Sequence, residues 1–362
     1  MKSWDVITIG AGIIGLSLAI ALRKHGLRVL ILERGEPGRE ASYAAAGMLA
    51  GFGLEIPRAL KTLAQESTLL YPEFVHELED ESGMKVDLRD QGTILLSSDG
   101  IFPEAAEPIS SEKLQALEPA LAASAKGGRL RPPLHDQKSI AAAYLSERSV
   151  DPRALVAAAI KAARHRAVDI SSGAEVKKLL FEGERVTGVQ TEKTSYSAPM
   201  VVNCAGAWAG CVGPHRFPVR PVKGQMLAVV GGMIPKHVVR SEKVYLVPRS
   251  DGRVLTGSTL ENAGYNKQTD VNTIQQLFHA ALELAPGLTG CRAHQDWAGL
   301  RPGTPDDLPI LGETSAGYFV ATGHYRDGIL LAPITAQVMT SLILREVPSH
   351  DLTPFSPSRF AT

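Results

Sequence analysis

Three glycines at the end of the first apolar run constrain this chain more than any other feature. Val6-Ile7-Thr8-Ile9 runs straight into Gly10-Ala11-Gly12-Ile13-Ile14-Gly15, and a second apolar run, Val29-Leu30-Ile31-Leu32, ends at Glu33. Strand, glycines, helix, strand and terminal acid in that order are the signature of a βαβ unit that binds a dinucleotide. Gly10 permits a tight turn, Gly12 lets a pyrophosphate approach the backbone, and Gly15 lets the following helix lie against the strand. The helix N-terminus then turns its unpaired N–H groups toward the phosphates. Glu33 is placed to accept hydrogen bonds from the ribose hydroxyls of an adenosine half. A chain that begins this way is expected to bind an ADP-containing cofactor.

Length and charge narrow the class. With 362 residues the chain is too long for one ordinary core and has room for two domains that enclose a cofactor. Lysine plus arginine equals aspartate plus glutamate at 38 each, so no global field draws the chain to nucleic acid or anionic lipid. A small-molecule enzyme is the expectation. Cys204, Cys211 and Cys291 show no CxxC or Cys/His metal spacing, so no metal is expected. Their odd number argues against a secreted disulfide framework and for a reducing cytoplasm. Residues 6 to 22 could imitate a signal-peptide core, but only Lys2 precedes them and glycines interrupt them, so they read as strand and helix. No other segment approaches the roughly 20 apolar residues of a membrane span.

Further along, Ala41-Ser42-Tyr43-Ala44-Ala45-Ala46-Gly47-Met48 is built from small residues that let another body come close, with Ser42 as a hydroxyl donor. Leu60, Leu63, Leu69, Leu70, Phe74, Val75 and Leu78 recur at helical spacing and predict a long amphipathic helix over 57–81. Residues 85–98 alternate as a strand pair, 111–118 read as a short helix, and Arg131-Pro132-Pro133 marks an irregular connection. Asp151-Pro152 is an N-cap followed by proline at the first helical position. Strands are expected over 168–170, 176–180 and 186–191, then an apolar strand within 200–208 that ends in Ala205-Gly206, with a β-rich stretch from Lys223 to Leu260, a helix over 269–284, and a final helix starting near Pro333. The fold class is therefore α/β, a Rossmann-like cofactor domain with a β-rich antiparallel substrate domain. The first is expected from residues 1–80, 150–215 and 295–362, the second from 81–149 and 216–294.

Four longer stretches together resemble the FAD-dependent D-amino-acid oxidase family, and within it the glycine oxidases of thiamine biosynthesis. They are Ala44-Ala45-Ala46-Gly47-Met48-Leu49, Pro221-Val222-Lys223-Gly224, Trp297-Ala298-Gly299-Leu300-Arg301-Pro302-Gly303-Thr304, and Gly323-His324-Tyr325-Arg326-Asp327-Gly328-Ile329-Leu330-Leu331-Ala332-Pro333. The resemblance covers nearly the whole chain. It implies a glutathione-reductase type FAD domain, with FAD against Ile13, Ile14, Glu33, Arg34, Ala41, Ser42, Ala46, Gly47 and Met48. Val176 would meet the adenine, and residues His324, Tyr325, Arg326, Asp327, Gly328, Ile329 and Leu330 would surround the isoalloxazine. With no cysteine in the 323–328 loop, the FAD is expected to be non-covalent.

The resemblance further implies oxidative deamination of a small amino acid, with O2 as electron acceptor and hydrogen peroxide as product. Arg301, read as sitting on a loop before Pro302-Gly303, has the planar fork that captures a carboxylate through two bonds. Tyr245 aligns with a tyrosine that reaches the same carboxylate, and Arg326 either joins them or holds its own loop. His324 is read as fixing backbone or tuning the flavin and is assigned no catalysis. Lys243 and Leu260 depart from the family's histidine and methionine, which leaves the order of glycine, sarcosine and D-amino acids open. Sarcosine oxidation, a dehydrogenase with another acceptor, and a flavin-binding assembly subunit are the alternatives, and a homo-oligomer is compatible with all of them.

Overall fold

The computed structural model describes residues 3–122, 140–213 and 216–360, so the Arg131-Pro132-Pro133 connection lies outside the described residues. At its centre Val6–Ile9, buried along its whole length, pairs in parallel with Val29–Glu33 on one side and Met200–Asn203 on the other. Asp169–Ser172 and Tyr318–Thr322 extend the sheet in parallel, and Ile310–Ser315 closes one edge antiparallel. Period-two alternation divides the apolar side chains of these strands between two cores. Val6, Ile31, Val202 and Phe319 face the helices Ile13–Lys24, Lys61–Ser82, Pro152–His165 and Ala332–Ile343. Ile7, Ile9, Leu30 and Val201 face a three-stranded antiparallel sheet made by Val176–Glu182, Arg185–Thr191 and Ser195–Ser197.

A second, eight-stranded sheet runs in the order Arg292–Gly303, Arg220–Val230, Arg253–Gly257, Tyr245–Pro248, Val238–Arg240, Thr93–Ser97, Ala141–Leu145, Glu107–Ile109. One face packs Leu227, Val229 and Val254 under the helix Val271–Leu284. The other turns Met226, Ala228, Val247 and Trp297 toward Ala44, Ala46 and Met48. The two sheets are thereby held against each other across the small-residue loop, and that junction is where the site forms.

Local pattern misplaced four features. Leu88–Arg89 and Thr93–Ser97 are both strands, yet they do not pair with each other. The first joins Arg148–Val150 and the second lies between Ala141–Leu145 and Val238–Arg240, because alternation marks a strand without naming its partner. Arg301 stands on a 12-residue strand, Arg292–Gly303, and not on a loop. Pro302 does not break that strand because it faces Pro221 across the ladder, at a pair where neither N–H is called on. The expected boundary at 295 therefore cuts through a strand of the eight-stranded sheet. Leu69, read as part of the apolar stripe, is 75% exposed, since the buried face of its helix follows Leu63, Ser67, Tyr71, Val75 and Leu78 instead.

Candidate active site

A cavity of about 730 Å3 opens where the carboxyl ends of Val6–Ile9, Val29–Glu33 and Met200–Asn203 meet the eight-stranded sheet, the place where open α/β sheets bind ligands. Its first wall is the glycine turn. Gly10 has φ +103°, and a Cβ there would lie 2.6 Å from the Cys204 carbonyl oxygen; at Gly15 it would lie 2.1 Å from the Gly10 carbonyl oxygen. Gly12 differs, for a Cβ there would meet only the Ser42 hydroxyl at 3.4 Å. Gly10 and Gly15 are required by backbone packing, whereas Gly12 leaves its side open to the cavity.

Around that turn the residues are polar at one end and small along the length. Ser42 Oγ accepts the Ile13 N–H at 3.0 Å, which leaves its own proton free to donate. Helix Ile13–Lys24 has no side-chain cap at Gly12 and no acid in its first turn, an end suited to anionic phosphate. Glu33 accepts from the Ala11 and Gly35 N–H groups at 2.8 and 2.9 Å, so it fixes the turn as well as facing the cavity. Arg34 bonds Glu40 at 2.9 Å and lies 3.5 Å above the Trp208 ring. Val176, Ile14, Ala41, Ala46, Gly47 and Met48 complete this part of the lining. The small-residue loop is pressed onto the second sheet: a Cβ on Gly299 would come within 2.3 Å of the Ala44 Cβ, and Trp297 Nε1 donates to the Ala44 carbonyl at 3.1 Å. Buried Arg249 holds the Ala46 carbonyl from behind.

The loop from Gly323 to Ile329 forms the floor. Gly323 and Tyr325 take positive φ, and Tyr325 N–H donates to Pro302 O at 3.1 Å, tying the loop to the Arg301 strand. His324 is buried, its Nε2 lies 3.0 Å from the Thr335 hydroxyl, and burial pushes its pKa down to about 3. It is a neutral fastener for the helix Ala332–Ile343. Burial, with Glu55 nearby, pushes the Asp327 carboxyl up to about 6. From the long helix, Tyr71 OH and Ser67 Oγ each donate over 2.5 Å to the carbonyls of Ile329 and Leu330. Leu330 itself belongs to the helical core, and neither it nor Gly15 lines the cavity.

Beside the floor, on the eight-stranded sheet, stand Arg301 and Tyr245. Arg301 donates from Nη1 to Thr259 O at 3.2 Å and from Nη2 to Ser258 Oγ at 2.6 Å. A Cβ on Gly224 would sit 2.3 Å from Arg301 Nη1, so the glycine of Pro221-Val222-Lys223-Gly224 is the space the guanidinium occupies. Burial lowers the Arg301 pKa, and the side chains that next influence it are Tyr245, Tyr325 and Arg326, none of them a carboxylate. Tyr245 OH lies 3.2 Å from Met226 Sδ, and burial pushes its phenol pKa up. Arg326 is exposed at the rim, over the Tyr325 ring. Lys243 and Leu260 also reach the lining, while Arg240 is paired with Glu55 and Glu147. Sequence reasoning did not single out Ser258, Thr259 or Arg240, because they sit in segments without a motif of their own.

The FAD dependent oxidoreductase family matches residues 5–342, and the chain belongs to it. Over 98% of its length it is 32% identical to the glycine oxidase of Pseudomonas aeruginosa, covering 98% of that protein. It is 36% identical over 98% of its length to the bifunctional protein ThiO/ThiG of Trichormus variabilis, of which it spans 55%. The crystal structure of glycine oxidase from Geobacillus kaustophilus superposes with a TM-score of 0.89 at 29% identity, with 100% of both chains covered. The chain is an FAD-dependent oxidoreductase with a glycine oxidase-like fold, and the open face at Gly12, the helix end without an acid and Glu33 fit that cofactor's pyrophosphate and ribose.

Proposed function

We propose that this protein catalyses the oxidative deamination of glycine, sarcosine and small D-amino acids. For glycine the balance is glycine, O2 and water going to glyoxylate, ammonia and hydrogen peroxide, with the intermediate imine also able to supply the thiazole ring of thiamine. The observation that carries this reading is Arg301. It is a largely buried guanidinium braced by neutral oxygens, facing the cavity that holds the glycine turn, with no carboxylate among its main electrostatic neighbours. Such a cation is incomplete until an anion of the right shape arrives. FAD, when bound, supplies the two-electron acceptor for the substrate's α-hydrogen and the route from there to O2.

The protein's own residues do the rest. Arg301 takes the carboxylate by its fork, and Tyr245, kept protonated by burial, donates a second hydrogen bond to it. Two contacts on one carboxylate fix the direction of the Cα–H bond, and that orientation is the main catalytic contribution of the site. Inverting Cα would exchange hydrogen and side chain, so L-amino acids are excluded and glycine escapes the penalty. The non-covalent FAD, the cytoplasmic setting and the use of O2 form part of the same proposal; they are supported by the resemblance and by the absence of cysteine from residues 323–328.

An anaerobic panel tests it. Glycine, sarcosine and D-alanine should bleach the flavin absorbance and release peroxide on admission of air, with D-aspartate slower and L-alanine inert. Arg301→Ala should retain flavin yet lose on the order of 2–5 kcal/mol in kcat/KM, and Arg301→Lys should recover little of it. L-alanine or D-aspartate as the best substrate overturns the substrate assignment, and undiminished turnover by Arg301→Ala overturns the clamp.

A further inference from the structure

Behind the clamp lies a set of polar groups, the buried Lys223 and Gln225 and the half-buried Glu261, that substrate and cofactor do not need to touch. Gly224 and Met226 of Arg220–Val230 face the cavity, Gly224 against Arg301 and Met226 against Tyr245. The odd-numbered Lys223 and Gln225 therefore point to the other face, and both reach Glu261. Lys223 Nζ lies 3.4 Å from Glu261 Oε2, and Gln225 Nε2 donates to Glu261 Oε1 at 2.8 Å. Lys223 is only 4% exposed.

The segment that carries Glu261 also carries the partners of Arg301. Arg253–Gly257 pairs with Arg220–Val230 as far as Gly257 and Met226, and beyond that the chain leaves the ladder. At the next position the Thr259 hydroxyl, not a main-chain carbonyl, accepts the Gln225 N–H at 2.8 Å. Pairing resumes at Glu261, whose N–H and C=O exchange bonds of 2.9 and 3.0 Å with Lys223. Because its hydroxyl has taken over the ladder bond, the Thr259 carbonyl is free to turn to Arg301 Nη1 at 3.2 Å. The same hydroxyl donates to Glu261 Oε1 at 2.5 Å. Burial raises the pKa of the Glu261 carboxyl, but Thr259, Gln225 and Lys223 more than offset this and hold it below the usual range.

We propose that Glu261, held in place by the buried Lys223, is a positioning residue for carboxylate capture, fixing Thr259 and through it the direction of the Arg301 fork. This rests on the reading of Arg301 as the carboxylate clamp. An ammonium this buried requires its carboxylate partner. Placing that pair directly behind Thr259 makes the Arg301 carbonyl anchor depend on it. Loss of the pair lets Ser258 and Thr259 relax toward an ordinary ladder, and the guanidinium loses its aim.

The test uses the FAD-loaded enzyme and acetate, an unreactive carboxylate, titrated against the flavin absorbance, alongside KM and kcat for glycine. Glu261→Gln should raise the acetate Kd and the glycine KM about tenfold, with kcat changed by less than about threefold and FAD affinity unchanged. Lys223→Met should act in the same direction. The double variant should be no worse than the worse single, because both act through Thr259. The double variant removes the buried ammonium together with its half-buried partner, so it carries the comparison should Glu261→Gln fail to retain FAD. Wild-type acetate and glycine affinity in Glu261→Gln or the double variant, with affinity lost in Arg301→Ala, overturns the positioning role alone. Unchanged acetate affinity in Arg301→Ala overturns the clamp and the positioning role with it.

Discussion

Two glycines three residues apart do different work, and substitution separates them. A Cβ on Gly15 collides with the Gly10 carbonyl at 2.1 Å, while one on Gly12 meets only the Ser42 hydroxyl at 3.4 Å. Gly15→Ala should therefore lower the urea midpoint even without FAD, whereas Gly12→Val should leave the apoprotein's midpoint near wild type and abolish FAD binding. Near-wild-type FAD affinity in Gly12→Val would make that glycine a packing turn only. His324 supplies a pH signature. Its ordinary value is 6.5 and the folded value is about 3, so between those limits the unfolded chain binds a proton that the folded one refuses. Its contribution to stability is complete above pH 6.5 and is lost as pH falls, at up to about 1.4 kcal/mol per unit. Denaturation from pH 7 down to 4 should show a steeper loss in wild type than in His324→Gln; parallel curves would mean the ring is already charged when folded. The division of labour between Gly12 and Gly15 was readable from the motif, but the atoms that enforce it, the Gly10 carbonyl facing Gly15 and the Ser42 hydroxyl facing Gly12, were not, since they depend on what stands opposite each Cα.

Helix boundaries were the most legible elements. The Asp151-Pro152 signal marks the start of Pro152–His165, where Asp151 Oδ1 accepts from Arg153 N at 2.8 Å and Ala154 N at 3.4 Å. Asp151 also bonds Arg253 at 3.1 Å, joining this helix to the eight-stranded sheet. Asp151→Ala should cost about 1 kcal/mol through the cap and somewhat more through the lost ion pair. Asp151→Asn, which keeps the cap, should cost less. Urea midpoints of the two variants check this, and equal losses would assign the whole effect to Arg253. Capping is legible because its partners lie within three residues along the chain. Strand pairing is not: 85–98 read as a strand pair, yet the two strands within it, Leu88–Arg89 and Thr93–Ser97, find their partners far off in sequence. The apolar spacing predicts the long helix Lys61–Ser82, and only the tertiary contacts show Ser67 and Tyr71 gripping the floor loop by its carbonyls.

At the scale of the whole molecule, the cofactor cavity is the interface between the two sheets. Bound FAD should therefore tie both together: at a free concentration of 100 times Kd it adds about 2.7 kcal/mol to stability, visible as a higher Tm for holoprotein than for apoprotein. Acid precipitation of the yellow protein should leave all flavin in the supernatant, because the floor loop at 323–329 contains no cysteine to tether it. Flavin retained in the pellet would show a covalent link.

The order of Val6–Ile9, the glycine turn, the helix and Glu33 determined by itself that a dinucleotide binds here, because every part of that device lies within about 30 residues and depends on local backbone geometry. The four longer stretches carried the family, and Arg301 and Tyr245 with it. What only the tertiary structure decided is how Arg301 is aimed. It stands on a strand, its fork fills the space left by Gly224, and its anchors come from a segment about 40 residues earlier that has slipped out of its ladder. No local pattern encodes such an arrangement, since the contacts that define it come into being only when two distant stretches of chain pack together.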